Sequence, residues 1–174
     1  MPQRRTVEKV LVGRAVVPGS AEGSALVSAE PLSFWGGFSP RTGEIIDRRH
    51  ELSGQIAKGR IFVFPQGRGS STSSATFLES IKTGVAPAAI INLRVDAILA
   101  LGSIVADELY HRAVPIVVLP EKEFFSIKQD DYVIVRPDGR VVVRTDVDQA
   151  GRRAKKARRT SNHSTGKRVS EDRQ

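Results

Sequence analysis

The chain has 174 residues, no cysteine, 40% hydrophobic and 6% aromatic residues, and a formal net charge of +8. That length suits one domain with a core plus an extension. The missing cysteines exclude disulfides, a cysteine-bound zinc and iron–sulfur ligands held by this chain itself.

The charge is lopsided: nine Lys/Arg against two acids from Gly151 onward give +7, leaving +1 for residues 1–150. A domain over residues 1–148 and a basic, disordered tail over residues 149–174 are expected. Such a tail has the charge to touch RNA, an acidic partner or anionic lipid, although a solvated appendage accounts for it as simply. His50, His111 and His163 are scattered, with no metal-ligand spacing. No apolar run approaches the roughly 20 residues that cross a bilayer, and no apolar segment follows Met1-Pro-Gln-Arg-Arg-Thr6 as a secretory signal requires. A cytoplasmic protein without a membrane partner is expected.

In chain order, Glu8–Val17 reads as a strand of alternating apolar and polar residues. Pro18–Gly23 reads as a loop and Ala25–Ser28 as a second extended segment. Pro31–Pro40 is irregular, because its glycine pair and flanking prolines break helix and strand alike. Glu44–Asp47 is a short extended piece, and Gly59–Phe64 a buried strand. A serine-rich turn follows, then a helix patterned over Thr76–Lys82 and stopped by Gly84. Pro87–Asn92 is another buried strand.

From Asp96 to Arg112, Ile98, Leu101, Val105 and Leu109 mark one face of a helix, which Gly102 interrupts and which the pattern allows to begin only there. Pro115–Leu119 is a strand, and Pro137-Asp-Gly139 joins two more as a hairpin. The order implies an α/β domain with a mixed sheet or small barrel and flanking helices, not a doubly wound Rossmann pattern.

The turn Pro65-Gln-Gly-Arg-Gly-Ser-Ser-Thr-Ser-Ser-Ala75 hands a buried strand to a helix. A flexible linker does not sit in such a place. The free amides of a helix start attract anions, yet no lysine follows the second glycine, a third glycine is missing, and so is Gly-x-Ser-x-Gly. Capping of the helix by Ser73 or Ser74 is the plain structural account; it leaves Arg68 and the glycines unexplained. A third account is a serine base: helix-end amides and an arginine stabilise its alkoxide, and glycines either side of Arg68 allow close backbone approach.

Five segments carry a resemblance. Ser24–Gly37, Thr42-Gly-Glu-Ile-Ile-Asp47, Gly67-Arg-Gly-Ser-Ser71, Ala86–Ile91 and Ile98–Ala106 are similar, in order and spacing, to the aconitase X small subunit. The resemblance covers most of residues 8–145 and implies a swivelling β/β/α domain. It also implies half of an active site, completed by a separate large subunit or a fused large domain whose cysteines hold an iron–sulfur cluster, this chain binding no cofactor alone. The implied reaction is elimination of water from a small hydroxy acid, with metal in the partner as Lewis acid on the leaving hydroxyl. Known substrates of such enzymes are cis-3-hydroxy-L-proline in bacterial members and mevalonate 5-phosphate in archaeal ones.

By position, the resemblance makes Ser70 the catalytic base that takes the proton alpha to the carboxylate. Arg68 and Ser71 are candidate anchors for substrate or alkoxide, and Gly69 a backbone-approach position. The archaeal pattern tends to place a glycine near Ser73, where this chain has serine, which leaves the backbone path and the fitting substrate open. Phe34-Trp-Gly-Gly37 and Arg68-Gly-Ser-Ser71 look closer to the bacterial form. A phosphate-bearing substrate would want more cations than Arg68, and the sequence shows few near it. Both points favour cis-3-hydroxy-L-proline.

Trp35 reads as packing, or as lining for a cavity or a subunit interface. Asp47 and His50 read as an exposed, capped turn rather than acid–base partners. Asn92, Arg94 and Asp96 are placed to face the same cleft as Ser70, though capping of the next helix explains Asp96. Asp130-Asp131 reads as a solvated turn. The rival readings of the whole are a nucleic-acid-binding module using the basic tail, and a non-catalytic, anion-binding regulatory domain using the serine turn.

Overall fold

The computed structural model describes residues 6–146, so the basic tail expected over 149–174 lies outside the described residues. Two units are distinguished. Within the described residues the smaller comprises Thr6–Glu8 with Arg144–Asp146, where Arg144 Nε donates to Glu8 Oε2 at 2.8 Å. The larger, Lys9–Val143, holds the core and the serine turn.

The strands are β1 (Thr6–Val12), β2 (Arg14–Val17), β3 (Ala21–Val27), β4 (Leu32–Ser33), β5 (Ile61–Val63), β6 (Gly67–Arg68), β7 (Ala89–Asn92), β8 (Ile116–Val118), β9 (Tyr132–Val135) and β10 (Arg140–Asp146). Eight of them form one sheet in the order β1-β10-β9-β3-β5-β7-β8-β2. The pairs β3–β5, β5–β7 and β7–β8 are parallel, whereas β3–β9 and β2–β8 are antiparallel. The α/β class with a mixed sheet and flanking helices is thus as the sequence implied. The parallel strands Ile61–Val63 and Ala89–Asn92 are buried throughout, as strands covered on both faces must be.

The helices are α1 (Phe34–Gly37, a bent turn with non-helical Trp35 and Gly36), α2 (Thr72–Lys82), α3 (Ala97–Tyr110) and α4 (Glu121–Phe124), the last without a sequence signal. Phe34, Phe38, Phe62, Phe64 and Phe77 meet between the sheet and α2–α3. Phe34 stacks on Phe38 at 4.8 Å and meets Phe77 edge-on at 5.1 Å between ring centroids.

Three expectations are corrected. Glu8–Val17 is not one strand: it splits at Gly13, whose halves occupy opposite ends of the strand order. A Cβ there would stand 2.7 Å from Leu119 Cδ2 and from the Val118 carbonyl, so only glycine fits the corner. Ala21–Gly23, assigned to a loop, already belongs to β3.

In α3, Gly102 does not delay the helix, which starts at Ala97 with Asp96 as its cap. Gly102 is instead where α3 touches α2; a Cβ would lie 2.8 Å from the Ser74 carbonyl oxygen. The inner face is Leu99, Ala100, Gly102, Ser103 and Ala106, while Leu101 and Leu109 are 54% and 60% exposed. Small residues win the inner face because they let two helices approach closely. Ser103 is satisfied there by accepting from Val114 N–H at 2.9 Å and donating to the Val114 carbonyl at 2.8 Å.

Candidate active site

The serine turn is held from three sides. The short strand β6 pairs in parallel with β4, Leu32 opposite Gly67 and Ser33 opposite Arg68. Asp96 caps α3 by accepting from the Ile98 and Leu99 amides at 3.0 and 3.1 Å, and its other oxygen accepts from Gly67 N–H at 2.8 Å. One carboxylate thus ties the turn to the head of α3. A Cβ on Gly67 would come within 2.2 Å of that oxygen, which explains the first glycine.

The third tie is Ser73. It is 3% exposed, donates to the Arg68 carbonyl at 3.4 Å and accepts from Trp35 N–H at 3.4 Å. Ser33 Oγ donates to the Trp35 carbonyl at 2.9 Å. The Ser73 hydroxyl therefore sews the Phe34-Trp-Gly-Gly37 segment to the serine turn, and the Ser33 hydroxyl holds that segment's own bend. Gly69 has φ +115°, and its Cβ position is crowded by Ser73 Oγ at 2.9 Å and Ser33 Oγ at 3.1 Å.

Helix α2 begins at Thr72, a turn earlier than the apolar pattern suggested, so Ser73 and Ser74 lie inside the helix and neither caps it. Ser71 stands at the cap position in helical conformation, without a side-chain cap. The first turn is closed instead through Ser70: its carbonyl accepts from Ser73 N–H at 2.9 Å, and its Oγ accepts from Thr72 N–H at 3.4 Å while donating to Thr72 Oγ1 at 3.3 Å. Arg68, Gly69, Ser70 and Ser71 are all exposed.

Two spaces adjoin the turn. A cavity of about 20 Å³ lies beneath it, lined by Phe34, Gly67, Arg68, Gly69, Ser73 and Asp96 among others. A cleft of about 510 Å³ is lined by Glu30, Pro31, Asp47, Arg49, His50 and Arg68. Arg68 borders both.

The loop after Asp47 is fastened to the strand end before β4. Glu51 Oε1 accepts from the Ser28 hydroxyl at 2.6 Å and from Ala29 N–H at 2.6 Å, and Glu51 N–H donates to Glu30 Oε2 at 3.1 Å. His50 is 5% exposed, which corrects the exposed turn expected of it. Its Nδ1 accepts from Leu52 N–H at 3.1 Å, and its Nε2 lies 3.4 Å from both the Glu30 carbonyl and Ser28 Oγ. With Nδ1 engaged by a backbone amide, His50 is a structural fastener here.

The Ser28 hydroxyl, with help from the Ala29 and Glu30 backbone, holds the Glu51 carboxyl below its usual range. A lowered carboxyl adds stability above its ordinary value of 4.5 and loses it as the pH falls through the lowered one. Glu51→Gln is expected to lower the thermal midpoint at neutral pH, and the gap to the parent chain should close in acid; a gap independent of pH contradicts this.

Of the remaining candidates, Asp96 caps α3 as the simpler account had it. Asn92 is buried and donates to the Phe64 carbonyl at 2.8 Å, so it serves the strand ends. Arg94 is exposed. Asp47 caps its turn by accepting from Arg49 N–H at 3.0 Å and also borders the cleft. Trp35 is 64% exposed, which overturns packing as its role within this chain. Asp130 is exposed and paired with Arg60, but Asp131 is buried and accepts from Lys128 N–H at 2.8 Å, so the pair is only half solvated.

Sequence reasoning missed Ser33 and Ser73 as ties, although both stand in quoted motifs. It also missed Glu30, which stands in the Ser24–Gly37 segment, and Arg49, for which no local signal exists. Cysteine is absent from the chain, and among the described residues no three His, Asp or Glu gather as a metal site. Nor is any described helix long and apolar enough to cross a membrane.

A family model described as the aconitase X swivel domain matches residues 10–144. The chain is 51% identical over 113 residues to a cis-3-hydroxy-L-proline dehydratase of Pseudomonas aeruginosa, covering 65% of this chain and 20% of the relative. It is 40% identical over 126 residues to the phosphomevalonate dehydratase small subunit of Methanosarcina acetivorans, covering 72% of this chain and 83% of that one. The crystal structure of Thermococcus kodakaraensis aconitase X in its holo form superposes with a TM-score of 0.70 at 36% identity, over 78% of this chain and 98% of that chain. The chain spans about a fifth of the length of the Pseudomonas relative. A matching family model over most of the described residues, on this sheet and around this turn, places the chain in the aconitase X swivel domain family.

Proposed function

We propose that this chain is the small subunit of an aconitase X-type hydro-lyase in which Ser70 is the base. The observation that carries this reading is the exposed Ser70 hydroxyl at the first turn of α2, with the Thr72 amide directed at its oxygen. An alkoxide at that oxygen would be stabilised by the amide and by the positive end of α2. In the proposed step Ser70 Oγ takes the proton alpha to the substrate carboxylate. The C–H electron pair becomes the new double bond, the hydroxyl on the neighbouring carbon leaves with its bonding pair as hydroxide and takes up a proton from solvent to become water, and Ser70 returns its own proton to solvent to restore the alkoxide.

The 51% identity to a cis-3-hydroxy-L-proline dehydratase, against 40% to a phosphomevalonate dehydratase small subunit, supports cis-3-hydroxy-L-proline as the substrate. The name of the second relative supports a large-subunit partner. Without cysteine, the residues of this chain do not fit an iron–sulfur cluster, so the cluster is assigned to that partner and no step here runs through it.

The test is affinity capture of this chain, identification of a larger, cysteine-containing subunit by mass spectrometry, and assay of the pair. Water elimination from cis-3-hydroxy-L-proline by the pair, and not by this chain alone, is expected. Preferred turnover of mevalonate 5-phosphate would overturn the substrate, and a pair inactive on both acids would overturn the reading. An anion-binding regulator or a tail-driven nucleic-acid binder would show neither activity.

A further inference from the structure

The cleft beside the serine turn carries a charge pattern that the sequence did not disclose. Arg68 comes from β6 and Arg49 from the loop after Asp47, and both border it together with the carboxylates of Glu30 and Asp47. The expectation of few cations near Arg68 is therefore only half right: a second arginine is present, and two acids accompany it.

These groups are placed by a built scaffold. His50, buried and fixed at both ring nitrogens, and Glu51, bonded to Ser28 and Ala29, lock the Asp47–Glu51 loop against Ser28–Glu30. Glu51 N–H and Arg49 N–H each occupy one oxygen of Glu30 and Asp47 respectively, which leaves the second oxygen of each for another partner. β4 then runs from that fixed edge into its pairing with β6, which carries Arg68.

Resting on the dehydratase reading above, we propose that Arg49 is a second substrate-binding arginine. With Arg68 it holds the carboxylate of a cyclic amino acid, while Glu30 and Asp47 receive its ring ammonium. Two guanidinium groups suit a planar carboxylate, to which arginine donates in parallel pairs. Two carboxylates suit a secondary ammonium. The same two carboxylates repel a substrate that carries a phosphate as well as a carboxylate, and such built-in repulsion is how a site rejects a near relative. The cleft is balanced for a zwitterion and biased against a polyanion.

The experiment uses the complex of this chain with its large subunit, with Arg49→Gln, Arg49→Lys and Glu30→Gln variants. Arg49→Gln is expected to raise KM for cis-3-hydroxy-L-proline about tenfold or more, the worth of a charged hydrogen bond, with kcat little changed and partial recovery in Arg49→Lys. Glu30→Gln is expected to raise KM for the amino acid but to leave or improve binding of mevalonate 5-phosphate. Unchanged KM in Arg49→Gln, or equal loss of both ligands in Glu30→Gln, overturns the proposal. Calorimetric titration of cis-3-hydroxy-L-proline into parent and Arg49→Gln complexes reads the same contact without turnover. Weaker heat in the variant supports the anchor even if the complex is inactive, which would count against the dehydratase reading alone; equal binding overturns it.

Discussion

Replacing Ser70 by alanine is expected to lower kcat of the proposed two-subunit dehydratase about 100- to 10,000-fold, the usual contribution of a positioned general base. The substitution removes only the oxygen. The Ser70 carbonyl still closes the first turn of α2 on Ser73 N–H, and the Thr72 amide, which gave the Ser70 hydroxyl a 3.4 Å bond in an exposed position, turns to water. Assembly and thermal midpoint should therefore stay near those of the parent. The measurement is steady-state kinetics of the reconstituted pair beside size-exclusion chromatography. Turnover within tenfold of the parent would move the base elsewhere, and loss of the complex would mean that the serine was structural.

Phe34→Ala is expected to cost about 3–5 kcal/mol in chemical denaturation, as a large-to-small change at a buried aromatic does. Phe34 has no exposed surface. It touches three other rings, with Phe64 at 6.3 Å beyond Phe38 and Phe77, and it forms one wall of the small cavity under the turn. Truncation enlarges that space where the backbone of Trp35 is tied to Ser73 and Ser33. For a chain of this size the loss corresponds to a fall in midpoint of roughly 6–20 °C. A loss below about 1 kcal/mol would show that the aromatic cluster closes around the gap. Because the same residue supports the turn from beneath, activity should fall even at temperatures where the variant remains folded.

Much of this was legible in the chain. The buried strands Ile61–Val63 and Ala89–Asn92 announced themselves as β-rich apolar runs, and the strand–turn–helix setting of Ser70 followed from the order of local patterns. What misled was periodicity without partners. In α3 two stripes compete: a bulky one through Leu101 and Leu109, and a small one through Ala100, Gly102, Ser103 and Ala106. Hydrophobicity favours the first, but only the second lets α2 come close, and that decision belongs to the neighbouring helix. The serines at 73 and 74 looked like caps because the helix was judged from its apolar residues, whereas its hydrogen bonds begin earlier, at Thr72. Arg49 carried no signal, since its sharing of a cleft with Arg68 depends on the β4–β6 pairing and on the His50 and Glu51 fastening.

Gly102 sets a gauge with room for a hydrogen atom and nothing more. It abuts the carbonyl of Ser74, in the helix that begins two residues beyond the proposed base. Any larger group there would lever the whole rod outward and carry its tip with it. If Ser70 is the base, its aim is calibrated from the back of the helix pair, at a glycine that lines neither space beside the turn, and drift at that one position is a route by which relatives could retune chemistry while leaving every group around the turn untouched.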